Sequence, residues 1–498
     1  MTSPEHPASL SPETPMKPGI DGPDYDPEAH GTGIVHIGPG AFHRAHQAIF
    51  TDDVLARHGG DWRICGVSLR STESVDALNR QEGRYSLEIR GQNGTDRRVI
   101  GSISGALAAA RGIEPVLDML AAPSMRIVSL TVTEKAYGIL RGTGTVDRNH
   151  PAISADLARP DAPEGVVGLI VAGLARRKAA GLPPYTVLCC DNLPSNGALL
   201  RAGVLDFAAA CDAGLAAWIA EYGAFPSTMV DRITPAATPE LLDRTESALG
   251  ARDAVVVETE PFSQWVVEDA FCNGRPRWED AGVLFVPDVA PYEKMKLRML
   301  NGTHSLIAYA GFLCGHTYVR DVMADAALNR LATDHMRSAA GTLPHLAAVD
   351  FDDYARALQA RFENPAIAHE TYQIAMDGSQ KMPQRIFEPA MEALGTDQDA
   401  GTFAIATAAW MRYCAGTVDG RTYALRDPLE ADIRAVCDHA GQSAAAVFDG
   451  IAALPSLMPQ TLSGNPVWRD NVVRCLSHLM QRRSAKEMRA AFTQMAGG

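Results

Sequence analysis

Short apolar runs alternate with helical patterns over the first part of the chain. Four of these runs are rich in β-branched residues and indicate buried strands: 34–37, 62–69, 126–133 and 185–190. Helical patterns such as 165–180 stand between them. Because strands that alternate with helices pair side by side in parallel, the pattern predicts an α/β fold with a doubly wound parallel sheet.

The pattern changes near residue 290, after which helical periodicity dominates. We therefore predict an α/β domain over residues 31–289 and a mainly α-helical domain over residues 290–498. The first predicted helix of the second domain, 291–314, is apolar on every side, as in a helix surrounded by protein. Three polar residues interrupt it: Lys296, Asn301 and His304.

These three polar residues can face one cavity. At about 100° per residue of an α-helix, Asn301 lies roughly 140° from Lys296 around the axis and His304 roughly 80° from it. Burial favours the uncharged amine of a lysine, the form that accepts a proton, so the pattern is compatible with a catalytic base. In the structural alternative, Lys296 reaches the surface and the other two residues are hydrogen-bonded in the core. Spacing alone favours this alternative.

Composition narrows the class of protein. Of the 498 residues, 46% are hydrophobic and 21% are charged, which is typical of a soluble globular chain. No apolar run reaches the roughly 18 residues of a membrane helix. The formal charge of −14 argues against nucleic acid or an anionic membrane as a partner and favours small molecules. Nine cysteines without a CxxC pair indicate reduced core residues and a cytoplasmic location, and we expect no metal site.

Residues 1–30 contain seven prolines, several acidic residues and almost no aliphatic ones. This composition predicts a disordered or extended segment. The segment has no basic stretch followed by an apolar one, so we do not expect a secretory signal.

A glycine-rich turn follows the first predicted strand. The sequence GIVHIGPGAFHRAHQ places Gly38 and Gly40 between that strand and a helical pattern that starts near His43. Such glycines let the backbone approach a pyrophosphate, and a helix N-terminus binds it through free N–H groups. His43 stands where the dinucleotide fingerprint has its third glycine, so a plain turn stays an alternative.

Polar residues follow the next three predicted strands. Arg70 follows the second, where an acidic residue would bind the ribose of NAD; because an arginine could bind the 2′-phosphate of NADP, the choice of cofactor stays open. Thr133 and Glu134 follow the third strand, and Asn192 follows the fourth. The carboxyl ends of parallel strands form the ligand site of such a sheet, although each residue could equally be a helix cap or a turn former.

Several segments together resemble one family of enzymes. They are IVHIGPGAFHRAHQA, VSLTVTEKAYG, VLCCDNLPSNG, FPSTMVDRITPAATPE, EPFSQWVVED, MKLRMLNGTHS and DGSQKMPQR, spread over about residues 33–390. The chain resembles the mannitol dehydrogenase family, polyol-specific long-chain dehydrogenases that use NAD(H) without a metal. Lys296, Asn301 and His304 match the family's catalytic pattern of a lysine, four residues, an asparagine, two residues and a histidine. The resemblance therefore favours the catalytic interpretation of the helix.

The resemblance implies a Rossmann-type domain followed by a mainly helical domain, with NAD as the cofactor. It implies that Lys296 is the general acid/base and that Asn301 and His304 donate hydrogen bonds to the reacting oxygen. The candidates for cofactor binding are then Gly38, Gly40, Ala41, Phe42, His43, Arg70, Thr133 and Glu134. The candidates for binding substrate hydroxyls are Asn192, Asp231 and Lys381.

The substrate depends on details within the family. Gln373 stands where mannitol 2-dehydrogenases carry an arginine, and Glu134 is followed by Lys135 and Ala136 where those enzymes have two glycines. The chain is more similar to the fructuronate reductases, and we predict interconversion of D-mannonate and D-fructuronate. Lys135 or Arg385 could bind the hexuronate carboxylate, although either could be a surface charge. The alternatives are a mannitol 2-dehydrogenase and, more distantly, a non-catalytic NAD-binding sensor; the oligomeric state stays open.

Overall fold

The structure is a computed structural model that describes residues 8–346, 348–396 and 398–497. The chain divides into two compact units, Met1–Ala290 and Pro291–Gly498. The division falls where the helical patterns of the sequence begin.

The first unit contains both strands and helices. Its strands are β1 (Ile20–Asp21), β2 (Thr32–Ile37), β3 (Arg63–Ser68), β4 (Tyr85–Gly91), β5 (Gly94–Ile100), β6 (Ile103–Ala108), β7 (Ile127–Leu130), β8 (Thr186–Cys189), β9 (Thr228–Asp231), β10 (Val257–Thr259), β11 (Gln264–Glu268) and β12 (Leu284–Val286). Its α-helices are α1 (Ala41–Ala45), α2 (Gln47–His58), α3 (Glu73–Arg80), α4 (Glu114–Ala121), α5 (Pro151–Ala158), α6 (Val166–Ala179), α7 (Asn196–Cys211), α8 (Ala213–Tyr222) and α9 (Pro239–Leu249).

The central sheet of this unit has the strand order β6-β3-β2-β7-β8, and every neighbouring pair is parallel. Numbered by their own order in the chain, these strands run 3-2-1-4-5, the order of a doubly wound dinucleotide-binding sheet. Alternate side chains enter opposite cores: in β2, Val35 and Ile37 face one core and Ile34 faces the other. The predicted doubly wound parallel sheet is confirmed.

Two smaller sheets complete the first unit. β4 and β5 form an antiparallel hairpin that β1 and β10 join in parallel. In the third sheet, β11 is antiparallel to β9 and parallel to β12. The hairpin lies outside the predicted strands because β5 is mostly polar and only its last two residues are buried.

Residues 8–30, part of the segment predicted to be disordered or extended, pair with and pack against the rest of the first unit. β1 pairs with β5, which adds the segment to the sheet of the hairpin. Leu10 and Ile20 are buried in a small core with Leu249. The burial of these two aliphatic side chains stabilises the docked segment. The proline-rich composition of the whole segment gave no indication of it. Residues 1–7 lie outside the described residues.

The second unit is mainly helical, as predicted. Its helices are α10 (Ala290–Met295), the π-helix π1 (Lys296–Gly302), α11 (Thr303–Leu313), α12 (Val319–Ala324), α13 (Ala326–Gly341), α14 (Phe351–Phe362), α15 (Thr371–Ile374), α16 (Gly378–Met382), the π-helix π2 (Pro383–Phe387), α17 (Glu388–Gly395), α18 (Gly401–Cys414), α19 (Glu430–Ala440), α20 (Ala444–Ala452), α21 (Gln460–Ser463), α22 (Pro466–Met480) and α23 (Ala485–Ala496). A two-stranded ribbon of β13 (Thr417–Val418) and β14 (Arg421–Thr422) follows α18.

α11 lies at the centre of this unit. It packs against α13, α15 and α18, and all of its residues except Phe312 are buried. The helix predicted over 291–314 is therefore present and surrounded by protein, but its middle, π1, is π-helical rather than α-helical. None of the described helices has both the length and the apolar character needed to cross a membrane.

The docking of the N-terminal segment can be tested with one substitution. Leu10→Ala should lower the free energy of unfolding by about 2–3 kcal/mol, because it removes a fully buried side chain from the small core. Urea unfolding measures this value. Met16→Ala, at an exposed side chain of the same segment, is the control and should change it by less than about 0.5 kcal/mol. Equal stability of both variants would contradict the docking.

Candidate active site

The turn between β2 and α1 has the geometry that a phosphate group requires. Gly38 has a φ of +89°, and a Cβ there would collide with the carbonyl oxygen of Thr131, so only glycine fits. Gly40 is exposed, and a Cβ there would have a single neighbour within 4 Å, at 3.9 Å. The N–H groups of Ala41 and Phe42, in the first turn of α1, have no acceptor within their helix. Open space in front of free N–H groups is suited to a pyrophosphate.

His43 is buried rather than exposed at this turn. Its ring stacks on that of His36, with centroids 3.5 Å apart and planes inclined by 13°. Burial lowers the pKa of His43 well below its ordinary value, and the neighbouring His36 adds to the effect. The ring thus packs under the turn, and His43 as a cofactor-binding residue stays a prediction that its backbone would have to fulfil.

Four further candidates of the first unit, in the segments that follow β3 and β7, are exposed. Arg70 stands two residues beyond β3. Thr133, Glu134 and Lys135 lie in a short turn after β7, where Glu134 Oε2 forms an ion pair with Arg141 at 2.6 Å. Thr133 and Glu134 thus lie at the carboxyl edge of the sheet, as the sequence predicts.

A half-buried aspartate, Asp191, joins the segments that follow β7 and β8. Its Oδ2 accepts a hydrogen bond from the Val132 N–H at 2.9 Å and another from the Tyr137 hydroxyl at 2.5 Å. Burial raises the pKa of this carboxyl. Asn192, the candidate next to it, is exposed. Asp191 therefore fixes the position from which Asn192 can reach a ligand.

Sequence analysis gave no role to Arg232, which the structure shows to be a buried link. Its Nη1 donates to the Ala45 carbonyl at 2.7 Å, and its Nε and Nη2 donate to the Glu260 carbonyl at 3.2 and 3.0 Å. Burial lowers the pKa of this guanidinium to about 10. Asp231, the last residue of β9, is buried beside it. Arg232 thus links the end of β9 to α1. The sequence could have indicated this role only through an arginine inside a segment rich in β-branched residues.

In the second unit, π1 changes the predicted geometry of the three polar residues. A π-helix bonds residue i to residue i+5, so Lys296 and Asn301, five positions apart, lie about one turn from each other on the same face. His304 follows Asn301 by three residues in α11, which also keeps it on that face. The angle of 140° expected between Lys296 and Asn301 for a regular α-helix is therefore wrong, and the three residues are closer in direction than predicted.

His304 is buried among other basic and aromatic groups. Its ring lies 4.5 Å from that of Phe362 and 5.3 Å from that of His369, measured between centroids. Within the described chain, its Nε2 has no hydrogen-bond partner. Burial lowers the pKa of His304 well below its ordinary value, and His369, Arg361 and Arg385 act in the same direction. The imidazole is consequently neutral near pH 7 and can donate one hydrogen bond.

Arg385, in π2, contacts the same helix. Its Nη1 lies 3.4 Å from the Asn301 carbonyl and 3.2 Å from Ser305 Oγ. Burial lowers the pKa of this guanidinium, and no carboxylate pairs with it among the residues that the structure describes. The two π-helices meet at Gly302, where a Cβ would stand 2.9 Å from the Arg385 carbonyl oxygen.

The remaining two candidates of this unit differ in their surroundings. Lys381 is half-buried and donates from Nζ to the carbonyls of Ile374, at 3.2 Å, and Met376. Burial lowers the pKa of Lys381, and the nearby charge of Arg385 lowers it further. Gln373 is exposed on α15. The structure thus groups Asn301, Lys381 and Arg385 and leaves Gln373 at the surface of its unit.

Possible metal ligands are scattered through the part of the chain that the structure describes. There, no three side chains of His, Cys, Asp or Glu lie close enough together to hold an ion.

A doubly wound sheet with a phosphate-type turn, followed by a helical unit with a lysine, asparagine and histidine on one helix face, defines a two-domain dehydrogenase of the Rossmann type. Family comparison extends this assignment. The model described as the mannitol dehydrogenase Rossmann domain matches residues 32–280, and that of the mannitol dehydrogenase C-terminal domain matches residues 288–455. The chain belongs to the mannitol dehydrogenase family, which confirms the resemblance found in the sequence.

Individual relatives cover most of the chain. The uncharacterized oxidoreductase YeiQ of Escherichia coli K12 is 42% identical over 465 residues, 93% of this chain and 95% of its own. The D-mannonate oxidoreductase of the same organism is 43% identical over 420 residues, 83% of this chain and 86% of its own. A solved structure, the mannitol 2-dehydrogenase of Pseudomonas fluorescens with NAD and D-mannitol, has 36% identity and a TM-score of 0.79, covering 98% of this chain and 99% of that one.

The contact between the two π-helices can be tested at Gly302. Gly302→Ala would place a methyl group against the Arg385 carbonyl and 3.2 Å from His335 Nε2, so it should push π1 and π2 apart. We expect a loss of about 1–3 kcal/mol in unfolding free energy together with a lower dehydrogenase turnover. Gly395→Ala is the control, because a Cβ there meets nothing within 4 Å. Wild-type stability and turnover in Gly302→Ala would contradict this account.

Proposed function

We propose that the protein is a metal-independent NAD-dependent oxidoreductase that interconverts D-mannonate and D-fructuronate, with Lys296 as the general acid/base. The observation that carries the choice of a sugar acid is Arg385, a half-buried arginine that contacts the Asn301 carbonyl and has no carboxylate partner in the described chain. A cytoplasmic location stays a prediction.

The residues at the first turn fit a dinucleotide. Gly38 accepts the tight conformation, Gly40 leaves the approach open, and the N–H groups of Ala41 and Phe42 are free of acceptors in their helix. NAD, when bound, supplies the hydride acceptor for oxidation and, as NADH, the hydride donor for reduction. Arg70 is exposed beyond β3, so NADP remains the alternative cofactor.

The proton is moved by Lys296. In oxidation, its amine accepts the proton of the substrate hydroxyl at Nζ; in reduction, its ammonium group returns that proton to the developing alkoxide. Lys296 is buried and begins π1, and its position on the helix face shared with Asn301 supports this role.

Asn301 and His304 stabilise the reacting oxygen. Both side chains can donate a hydrogen bond to it, and preorganised donors are most effective where charge develops in the transition state. Because the pKa of His304 is held low by burial, its ring donates this bond without transferring a proton. The acid/base role is thereby left to Lys296.

The substrate proposal follows from charge. D-Fructuronate has a carboxylate that D-fructose lacks, and a half-buried guanidinium without an acidic partner gains a charge-assisted hydrogen bond from it. Arg385 suits this role better than Lys135, because Lys135 is exposed in its unit and Arg385 contacts the helix of the proposed acid/base. The proposed ligands of the substrate hydroxyls remain Asn192, Asp231 and Lys381, with Gln373 as a further candidate.

Mannitol 2-dehydrogenase activity is the second candidate. The similar solved structure of that enzyme contains NAD and D-mannitol. A neutral polyol would leave the charge of Arg385 without a counterion, which is the reason for placing this activity second. The sensor alternative would lack turnover with either sugar.

Replacing the proposed base should abolish turnover without loss of cofactor binding. We expect Lys296→Met to lower kcat by a factor on the order of 10²–10⁴, while NADH affinity from fluorescence titration stays within about twofold of wild type. Lys294→Met is the control, since Lys294 lies two residues away, is exposed and pairs with Glu392. Wild-type turnover in Lys296→Met would exclude this residue as the base.

Removing the proposed carboxylate anchor should affect one substrate selectively. Arg385→Met should raise the KM for D-fructuronate about 10–100-fold, the value of a lost charge-assisted hydrogen bond, and change that for D-fructose little. Arg385→Lys should retain part of the difference. Arg337→Met, at an exposed arginine paired with Asp334, serves as the control. An equal loss with both sugars would assign Arg385 a structural role instead.

Metal independence is a separate prediction. Dialysis against a strong chelator should leave the rate of NADH oxidation unchanged, because the described residues provide no cluster of metal ligands. A loss of rate that added zinc restores would refute the metal-free mechanism.

A further inference from the structure

Arg298, the third residue of π1, is a buried charged residue that the mechanism above does not use. Its side chain is only 1% exposed. Lys296 stands two positions earlier in the same helix. Because residues two positions apart do not face each other on a helix, Arg298 holds π1 from a side other than that of the proposed base.

The guanidinium of Arg298 joins π1 to two neighbouring helices. Its Nη1 donates to Glu392 Oε2 at 2.7 Å and its Nη2 donates to Glu392 Oε1 at 2.6 Å, in α17. Nη1 also donates to the carbonyl and the hydroxyl oxygens of Thr342, at 2.8 and 2.9 Å, where α13 ends. Two parallel bonds between a guanidinium and a carboxylate fix direction as well as distance. The Arg298 side chain therefore has a single orientation relative to both neighbours.

The fork to Glu392 reaches the same helical segment that π1 touches at its other end. π2 ends where α17 begins, so Glu392 belongs to the continuation of π2. At the last residue of π1, Gly302 approaches the Arg385 carbonyl of π2. π1 is thus held against this segment at Arg298 in its first half and at Gly302 at its end. A π-helix is rare and mostly occurs as a single turn, so it depends on such tertiary contacts.

Stability alone is a poor explanation of this arrangement. Removing a guanidinium from water is costly, and ion pairs with a buried member often contribute no more stability than apolar side chains of similar size. Their best-attested use is to fix one register of packed helices among several. In π1 the register decides whether Lys296 and Asn301 share a face, which is the property that the proposed chemistry requires.

We propose that Arg298 is a positioning residue for the proposed base: its fork to Glu392 and its bonds to Thr342 hold π1 in the i to i+5 geometry and thereby set the direction of the Lys296 amine. This inference rests on the proposed function and extends it to a residue that sequence analysis did not single out. Arg298 acts only through the helix, whereas Lys296 moves the proton.

The test is steady-state NADH oxidation with the ketose that the wild-type enzyme prefers, expressed per NADH site counted by fluorescence titration. We expect Arg298→Met to lower kcat per site about 10–100-fold, because displacing a catalytic group by about 1 Å has an effect of this size. The KM for the ketose and the affinity for NADH should stay within about threefold of wild type. This split distinguishes positioning from partial unfolding, which removes sites without slowing the remaining ones.

A second variant tests the carboxylate. Glu392→Gln keeps one acceptor oxygen and loses the charge, so it should lower kcat per site by about 3–10-fold. If Glu392 acts through Arg298, adding Glu392→Gln to Arg298→Met should cause no further loss. Multiplication of the two losses would overturn the fork as a single unit. Glu392 is 44% exposed, so this variant decides the question alone if Arg298→Met does not fold.

Two further variants serve as controls. Arg412→Met removes another buried arginine of the same unit, whose guanidinium donates to the carbonyls of Thr417 and Arg482 at 2.9 and 3.2 Å. It should lower the melting temperature but leave kcat per site unchanged. Lys294→Met removes the exposed partner of the same Glu392 carboxylate, at 3.2 Å, and should also keep the wild-type kcat.

The failures of the inference and of the proposed function differ. Wild-type kcat per site in Arg298→Met or in Glu392→Gln, or an equal loss in Arg412→Met, would overturn the inference alone, provided that Lys296→Met is inactive. Wild-type turnover in Lys296→Met would overturn the proposed base and this inference with it.

Discussion

The helical unit depends on one local constraint, the widening of its central helix over Lys296–Gly302. The wider turn brings Lys296 and Asn301 to one face, and the close approach at Gly302 presses π2 against it. Near this approach, Arg385 Nη1 lies 3.4 Å from the Asn301 carbonyl oxygen. The positions of the proposed base, the oxygen-stabilising donors and the substrate anchor all follow from the path of two π-helices.

Charged side chains removed from solvent in part or in full have a comparable role in the first unit. Asp191 holds the segments after β7 and β8 together, and Arg232 joins β9 to α1 through main-chain carbonyls. Such groups are costly to bury unless they are hydrogen-bonded, so their retention indicates that the loops at the sheet edge require fixed positions. Rigid loops at the carboxyl ends of parallel strands are what a dinucleotide site needs.

Much of the fold could be predicted because its signals are local. The β-branched runs of the central sheet and the uniformly apolar helix at 291–314 are visible in the sequence alone. Other features depend on tertiary contacts: β5 is polar and is held by pairing, and Leu10 is buried among residues distant in the chain, such as Leu249. The burial of His43 has the same origin, since its partner His36 lies on a neighbouring element.

The lysine, asparagine and histidine of the central helix could be recognised in the sequence as a motif, but their relative directions around the helix axis could not. A spacing of five residues has no fixed geometric meaning: it spans about a turn in a π-helix and leaves the side chains well apart in direction in an α-helix. A chain could therefore retain lysine, asparagine and histidine at this spacing and still lose the site through a shift to regular α-helix. A related protein would therefore keep the function only if it kept the π-helical turn of the backbone as well as the three residues of the motif.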